Sequence, residues 1–373
     1  MNTINTKENI LRTFRKEKTQ QIVWQPRLEH WYNVNRTRGL LPAMYQDVPL
    51  LDLYRDLDAS VRYYYGSGTD ISSPRTYVYP EYENGTSVEE VPAGEEILVV
   101  FKSPVGELTG RKRWGEWGCS WHYVEHPVKN LDDLPIIISI LKNTHFRFDS
   151  CFYQEAQRAM RENGEIQFYW HRSPFQRLLL EYLGIERLIE AIYDEPENIR
   201  EYLHIAEEAE NELFELLASC PVKILNFGEN IDGRFDSPRI YQEYLLPYYQ
   251  RRVSELHRAG KFCHIHMDGS LRPLLPFLQA AGFDGIEGAT PLPQGDVTLE
   301  ELKDAMGDTI LLDGIPMLLF LPSYPLEELE VFTRRVLKLF SPHLILGISD
   351  EISPPGDIER VRLVSRWVNE FQP

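Results

Sequence analysis

Two histidines and an aspartate alternate with apolar residues through residues 261–269. In an extended strand, His264, His266 and Asp268 share one face and the apolar side chains share the other. Imidazole and carboxylate groups are the side chains that bind divalent metals or move protons. A structural strand with hydrogen-bonded histidines shows the same alternation, so this segment alone leaves a functional and a structural interpretation open.

Acidic residues follow one predicted strand after another in the second half of the chain. They are Glu229, Asp232, Asp268, Glu287, Asp313, Asp350 and Glu351. In a (β/α)8 TIM barrel these carboxylates would meet His264 and His266, because the C-terminal strand ends converge on the mouth that holds the active site. Each carboxylate alone is equally well an ordinary loop or cap residue. Their repetition at successive strand ends favours the functional interpretation.

An alternation of strands and helices from residue 150 predicts an α/β fold with a parallel sheet. Strands are predicted at residues 21–27, 166–170, 222–227, 262–267, 283–287, 310–312 and 344–348. Helices are predicted at residues 8–16, 271–280, 299–306 and 326–340, and one more begins with Ser237 as N-cap and Pro238 in the first helical position.

The region from about residue 50 to 125 is less regular and rich in aromatic residues. It predicts a small antiparallel β insertion, with a strand at residues 97–101 and with Trp114, Trp117 and Trp121 packed in a core or an interface. No repeat or linker interrupts the chain. We therefore expect residues 1–373 to form a single barrel domain with an N-terminal extension and this insertion.

The composition excludes several classes of protein. A net charge of -18 on 373 residues disfavours a nucleic-acid partner, because an acidic surface repels phosphates. No apolar run approaches the ~20 residues that span a bilayer, and the N-terminus lacks a secretory pattern, so we expect no membrane segment and a cytoplasmic location. Four cysteines without paired spacing predict reduced thiols; they are Cys119, Cys151, Cys220 and Cys263.

An ordered series of short motifs resembles the uroporphyrinogen decarboxylase superfamily, which has a (β/α)8 barrel and also contains corrinoid-dependent methyltransferases. The resemblance covers most of residues 7–373. The motifs are those at residues 127–134, 183–186, 194–197, 228–230, 237–238, 246–249, 266–269, 281–285, 307–308, 314–316 and 345–350.

The arginine-rich signature with which true decarboxylases of this superfamily bind porphyrinogen carboxylates is missing. The corresponding region, residues 24–32, offers only Arg27. A substrate with many carboxylates needs several fixed guanidinium groups, so porphyrinogen decarboxylation is disfavoured. The chain is more similar to the methyltransferase branch, whose members hold zinc with a His-x-Cys pair and a distant Cys. At the matching positions stand His266, Asp268 and Asp350, so aspartate replaces both cysteines.

The resemblance implies a methyltransferase that moves a methyl group between a small methylated substrate, which we expect to be an aryl methyl ether, and the cobalt of a separate corrinoid protein. It implies zinc held by Glu229, His266, Asp268 and Asp350. The candidate catalytic residues are His264, as acid or supporting residue, and Glu229, and the candidate substrate contacts are Trp24, Arg27, Glu287 and Asp313.

Two alternatives to this function stay open at this point. One is a decarboxylase or lyase that acts on another substrate and uses the same histidines and carboxylates for proton transfer without metal. The second is a corrinoid-protein partner without catalytic activity. A homodimer is also possible for this superfamily.

Overall fold

The computed structural model describes residues 5–66, 75–115 and 120–373. Trp117 and Cys119 lie outside the described residues. The chain forms two compact units. Unit 1 comprises Met1–Thr76, Ser150–Trp170 and Val222–Pro373, and unit 2 comprises Tyr77–Asp149 and His171–Pro221. The single domain expected from the sequence stays a prediction.

The strands, numbered along the chain, are β1 Val23–Trp24, β2 Val78–Tyr82, β3 Ser87–Ala93, β4 Glu96–Ser103, β5 Gly106–Gly115, β6 Ser120–Glu125, β7 Thr144–Phe148, β8 Gln167–Tyr169, β9 Ile224–Ile231, β10 Phe262–Met267, β11 Gly285–Glu287, β12 Ile310–Pro316 and β13 Leu344–Ser349.

The helices are α1 Thr6–Phe14, α2 Glu29–Thr37, α3 Leu50–Asp56, α4 Leu134–Lys142, α5 Ser150–Met160, α6 Pro174–Arg177, α7 Ile185–Asp194, α8 Pro196–Ala209, α9 Asn211–Ser219, α10 Pro238–Ile240, α11 Leu246–Arg258, α12 Leu299–Met306, α13 Leu326–Phe340 and α14 Ile358–Glu370. Segments of 3-10 helix lie at Ala43–Tyr45, Leu131–Asp133, Arg272–Phe277 and Met317–Phe320, and π-helical segments at Leu178–Tyr182 and Tyr241–Leu245.

Unit 1 is a TIM-barrel-like α/β fold, as the sequence predicted. Its sheet has seven strands in the order β1-β13-β12-β11-β10-β9-β8, and the pairs are parallel. Residues 60–63 approach both edges of this sheet. The Ser60 N–H donates to the Trp24 carbonyl at 2.8 Å, and Tyr63 forms a parallel bridge with Gln167. This short segment therefore connects β1 to β8 and curls the sheet towards a barrel.

An apolar cluster fills the end of unit 1 at which several strands begin. Val23, Ile224 and Ile310 are the first residues of β1, β9 and β12, and they pack with the buried Phe14 of α1. Burying a valine, isoleucine or phenylalanine side chain stabilises a fold by about 1.5–3 kcal/mol relative to leaving it exposed. The polar residues described below lie at the opposite, C-terminal strand ends, where barrels place their active sites.

The predicted elements of unit 1 are largely confirmed. All seven strands are present, β10 with the predicted bounds, and α12 and α13 match the predicted helices residue for residue. Ser237 caps α10 by accepting a hydrogen bond from the Ile240 N–H, and Pro238 occupies the first turn, as predicted. The predicted helix at residues 271–280 is instead a 3-10 helix, Arg272–Phe277, because Pro276 within it cannot donate an intrahelical hydrogen bond.

Unit 2 contains two antiparallel sheets. Strands β3, β4, β5 and β6 form one of them, and β2 pairs with β7 in the other. The strand predicted at residues 97–101 lies within β4, whose Val99, Val100 and Phe101 are buried. Among the described residues, no helix of either unit is both long and apolar enough to cross a membrane.

Candidate functional site

The C-terminal ends of β10 and β11 bring histidines and a carboxylate together. The two strands pair in parallel register, with His266 directly beside Glu287 and His264 beside Gly285. On the other side, His264 is in register with Asn226 of β9. Neighbouring side chains on one face of a sheet lie within contact distance. The site is therefore assembled across strands, between residues that are distant in sequence.

Glu287 is the hub of this site and is fully buried. The Tyr169 hydroxyl donates to its Oε1 at 2.5 Å, and the Asn226 amide donates to its Oε2 at 2.7 Å. The Tyr63 hydroxyl also donates to Oε2. With three neutral donors and four cationic or imidazole groups around it, this carboxylate is held in one position.

Two guanidinium groups stabilise the negative charge of Glu287. Arg62 Nη1 lies 3.5 Å from Glu287 Oε2, and Arg27 Nη1 lies 3.3 Å from Oε1. Burial raises the pKa of Glu287, but Arg62, His266 and Arg27 outweigh that effect and hold it well below its usual value. Glu287 is therefore ionised at neutral pH.

Arg62 is itself fully buried and links Glu287 to Asp313. Its Nη2 lies 2.8 Å from Asp313 Oδ1, and the Gly288 N–H donates to Asp313 Oδ2 at 3.0 Å. Burial raises the pKa of Asp313 to about 6 in spite of Arg62. The carboxyl group is thus mostly ionised at neutral pH and compensates part of the Arg62 charge.

His266 is 4% exposed and faces carboxylates on both sides of its ring. Its Nδ1 lies 3.4 Å from Glu287 Oε1, and its Nε2 lies 3.9 Å from Asp268 Oδ1 and 4.0 Å from Asp350 Oδ2. Burial lowers the pKa of His266, but Asp350, Glu287 and Asp268 together raise it to about 9. At neutral pH the metal-free site therefore holds an imidazolium ion.

His264 behaves in the opposite way, although it lies on the same face of β10. It is fully buried, its Nε2 lies 3.0 Å from Gln167 Oε1, and its Nδ1 lies 3.4 Å from Glu287 Oε2. Burial lowers its pKa to about 3, because the attraction of Glu287 does not offset the loss of hydration. A neutral imidazole of this kind supports Glu287 and is a poor acid at neutral pH.

Arg27 reaches into the same cluster from the segment after β1. Its Nη1 lies 2.5 Å from Asp350 Oδ1 and 3.3 Å from Glu287 Oε1, while its Nη2 lies 3.6 Å from Glu351 Oε1. The guanidinium carbon lies 5.5 Å from the ring centre of Tyr63. Arg27 thus contacts three carboxyl groups, and two of them, Asp350 and Glu351, lie at the more exposed side of the site.

The donor set of the cluster fits a divalent cation. His266, Glu287 and Asp350 each offer one ligand atom, and these atoms lie within 4.8 Å of one another. Imidazole and carboxylate ligands suit zinc. Around them, five carboxyl groups face three cationic groups, Arg27, Arg62 and His266. A dication that displaces the His266 proton would reduce this excess of negative charge without cancelling it.

The structure brings some of the predicted site residues together and leaves others apart. His266 and Asp350 lie in the group, with Arg27 and Glu287 beside them. Among the described residues, Asp268 and Glu229 are not members of the group. Asp268 lies 3.9 Å from His266 Nε2, and Glu229, fully buried in β9, is close enough to Tyr241 for its charge to raise that residue's pKa.

Trp24 and Asp313, the remaining predicted substrate contacts, lie further from the group. Trp24 alternates in β1 with Val23, whose side chain belongs to the apolar cluster, so its indole lies on the other face of the strand. Asp313 is fully buried on the far side of Arg62.

Five residues that contact the hub or its neighbours were missed by the sequence reasoning. They are Arg62, Tyr63, Gln167, Tyr169 and Asn226. Tyr63 lies in the aromatic-rich region at about residues 50–125, which was assigned to the β insertion. Asn226 and Tyr169 lie in predicted strands, where the alternation of side chains could have marked them as facing the same side as His264.

Comparisons with known proteins give a family and a fold. The family model described as uroporphyrinogen decarboxylase (URO-D) matches residues 173–371, just over half of the chain. No curated protein matches the chain.

Two solved structures illustrate the similarity. A methyltransferase from Methanosarcina mazei has a TM-score of 0.61 at 13% sequence identity, covering 99% of this chain and 99% of that one. A B12-independent methionine synthase from Shewanella sp. W3-18-1 has a TM-score of 0.40 at 15% identity, covering 61% of this chain and 71% of that one. At these identities the first likeness supports the fold alone, and the second is too distant to support an argument.

Proposed function

Because the chain belongs to the uroporphyrinogen decarboxylase (URO-D) family, we propose that it is a methyltransferase that moves a methyl group between a small methylated substrate and the cobalt of a corrinoid on a separate protein. The observation that carries the proposal is the cluster of the buried His266 and Glu287 with the half-buried Asp350 at the C-terminal strand ends. The absence of an arginine-rich substrate site for many carboxylates argues against porphyrinogen decarboxylation.

The proposed metal ligands are His266, Glu287 and Asp350, with Asp268 as the nearest further oxygen donor. Zinc bound there would supply a Lewis acid that polarises the oxygen of the methyl donor. A site of imidazole and carboxylates without thiolate suits an oxygen ligand better than a sulfur ligand. This preference supports removal of a methyl group from an ether.

Other residues of the site hold the proposed metal ligands in position and limit the access of water to them. Tyr169, Tyr63 and Asn226 hold Glu287 by hydrogen bonds, so that carboxylate does not reorient when charge develops. Arg27, only 11% exposed, adds a positive charge beside Asp350 and limits access of water. His264 supports Glu287 from below as a neutral imidazole.

The substrate that we propose is an aryl methyl ether. Aromatic rings border the site: Tyr63 and Tyr169 lie with ring centres 4.6 Å apart, and Tyr169 lies 6.3 Å from the His266 ring. Such rings pack favourably against an aromatic substrate. The methyl group would pass from the ether oxygen to Co(I), which becomes methyl-Co(III), and the released oxygen would take up one proton.

A second candidate function has an observation of its own. Arg27 Nη1 already bridges Asp350 and Glu287, and His266 is protonated without metal. An imidazolium beside a fixed carboxylate is the arrangement that a metal-free decarboxylase or lyase needs for proton transfer. Metal content distinguishes the two candidates.

The first test measures zinc in purified protein by elemental analysis. Methyl transfer predicts close to one zinc per chain, with most of it lost in His266→Ala. His204→Ala is the matched control, because His204 lies on α8 with a side chain 73% exposed. A metal-free wild type after incubation with zinc would favour the proton-transfer candidate.

The second test follows the reaction itself. The zinc-loaded protein is mixed with Co(I) cobalamin and, separately, methyl ethers, methylated amines and methyl thiols, and the absorption spectrum is followed for methyl-Co(III). We expect methylation with aryl methyl ethers. Spectra that stay unchanged with all donors, together with a protein that retains no zinc after incubation with it, would refute the proposed function.

A further inference from the structure

A cavity of about 450 Å³ lies in unit 1, between helix α2, the segment that leads into α3, and residues 61–66. This volume is in the range of sites for small organic ligands. Its apolar walls include Val48, Leu51 and Val61, and five tyrosines contribute the aromatic part of the lining. These are Tyr32, Tyr54, Tyr63, Tyr64 and Tyr65.

Four of the five tyrosine hydroxyls already have protein acceptors. The Tyr32 hydroxyl donates to the Val48 carbonyl at 2.7 Å, and the Tyr54 hydroxyl donates to Glu29 Oε1 at 2.9 Å. The Tyr64 hydroxyl donates to Glu155 Oε1 at 2.8 Å, and the Tyr63 hydroxyl donates to Glu287. Because these hydroxyl protons are committed, the tyrosines offer a ligand mainly their rings.

Glu29 supplies a free acceptor among these rings. The residue is 2% exposed and lines the cavity, and its Oε2 is buried without a hydrogen-bond partner among the described residues. Burial raises the pKa of Glu29, and Arg27 and the Tyr54 hydroxyl lower it only in part. A buried carboxylate oxygen without a partner has lost its hydration without a compensating contact, which is unfavourable. A cationic ligand would remove that cost.

We propose that this cavity binds the ammonium group of a small organic cation, with Glu29 as the counter-ion and the tyrosine rings as the walls. Aromatic faces attract cations through the ring quadrupole and bind quaternary ammonium groups in this way. Two rings of the lining already contact cations of the protein. Arg27 lies 5.5 Å from the centre of Tyr63, and Arg36 lies 5.9 Å from the centre of Tyr32.

The site differs from the methyl-transfer site and does not depend on it. Glu29 is not among the proposed metal ligands, and the two sites share Tyr63, whose ring lines the cavity while its hydroxyl contacts Glu287. A bound cation would therefore pack against the residue that holds the hub carboxylate. The inference concerns binding alone, so it can be tested on protein without corrinoid or metal.

The test is calorimetric titration of the full-length protein with choline and with its neutral isostere 3,3-dimethylbutan-1-ol. We expect one saturable site for choline per chain and at least about tenfold weaker binding of the alcohol, which is about 1.4 kcal/mol. Equal affinity for the two ligands, or no saturable binding of choline, would overturn the proposal with wild-type protein alone.

Two variants locate the site. Glu29→Gln keeps an acceptor for Tyr54 and removes the charge, and we expect choline affinity to fall about tenfold or more. Asp47→Asn removes an exposed carboxylate from the same cavity wall and should change the affinity less than about twofold. If Glu29→Gln unfolds, Tyr65→Leu replaces it, with weaker choline binding and unchanged alcohol binding expected. The proposal is wrong if folded Glu29→Gln, or Tyr65→Leu in its place, binds choline as tightly as wild type.

Discussion

Replacing Gly288 by alanine should disturb His266 without changing any ligand. Gly288 follows β11 with φ +79°, and a Cβ built on it would lie 2.9 Å from His266 Cε1 and 3.2 Å from Nδ1. Carbon atoms pack at about 3.5–4.0 Å, so the imidazole has to move by about 0.6–1 Å. The ring is buried and Nδ1 lies 3.4 Å from Glu287 Oε1, so this displacement weakens the contact at the hub.

The control variant Gly282→Ala separates the effect of the new contact with His266 from the cost of placing alanine in a left-handed backbone conformation. Gly282 has φ +80°, and a Cβ there would meet only Val253 Cγ1 at 3.9 Å. An L-residue in the left-handed region costs about 1–2 kcal/mol in both variants. Overpacking around His266 should add about 1–3 kcal/mol in Gly288→Ala alone. Urea unfolding of the metal-free proteins measures the free energy of unfolding of each variant.

The same pair of variants tests the role of His266 in the site. A displacement near 1 Å in a catalytic residue costs up to about a hundredfold in rate. We therefore expect Gly288→Ala to bind zinc more weakly and to methylate Co(I) about ten- to a hundredfold more slowly than Gly282→Ala. If the two variants have equal stability and equal zinc affinity, the position of His266 described here is wrong.

Two further predictions concern the buried charges. Arg62→Met leaves Glu287 and Asp313 without the guanidinium between them and should lower the free energy of unfolding by about 3–5 kcal/mol. Adding Asp313→Asn should recover part of this loss. Urea unfolding measures both variants, and a loss below about 1 kcal/mol in Arg62→Met would contradict the prediction. In chelator-treated protein, NMR should show His266 titrating near pH 9 and no titration of His264 above pH 5. Because the folded pKa of His266 is raised, its contribution of about 3 kcal/mol is complete below pH ~6.5 and is lost as the pH rises through about 9.

The sequence predicted the barrel strands well because their signals are local. Buried strands such as β12 and β13 are short apolar runs between helices, and β10 alternates polar and apolar residues along its length. The capping residue of α10, Ser237, is an equally local signal. Residues 60–63 carry no such signal, because they contact β1 and β8 through only a few hydrogen bonds.

The site was predicted only in part, because its contacts depend on register between strands. His266 and Glu287 are 21 positions apart and meet because β10 and β11 pair with these residues side by side. Nothing in either segment alone sets that register. For the same reason Glu287 was assigned to substrate binding, and Arg62 was not predicted at all, although the two are an ion pair in the barrel interior.

The charge arrangement explains why one carboxylate can serve both candidate functions. Arg62, His266 and Arg27 outweigh the effect of burial and keep Glu287 ionised, so its charge does not depend on a metal ion. The charge of His266 does depend on one, since a ligand nitrogen must lose its proton. A divalent cation and the His266 proton are therefore competitors for the same acidic cluster, and metal binding should release about one proton per site below pH 9. The choice between methyl transfer and proton transfer thus rests on His266, while Glu287 supplies the same fixed charge in either case.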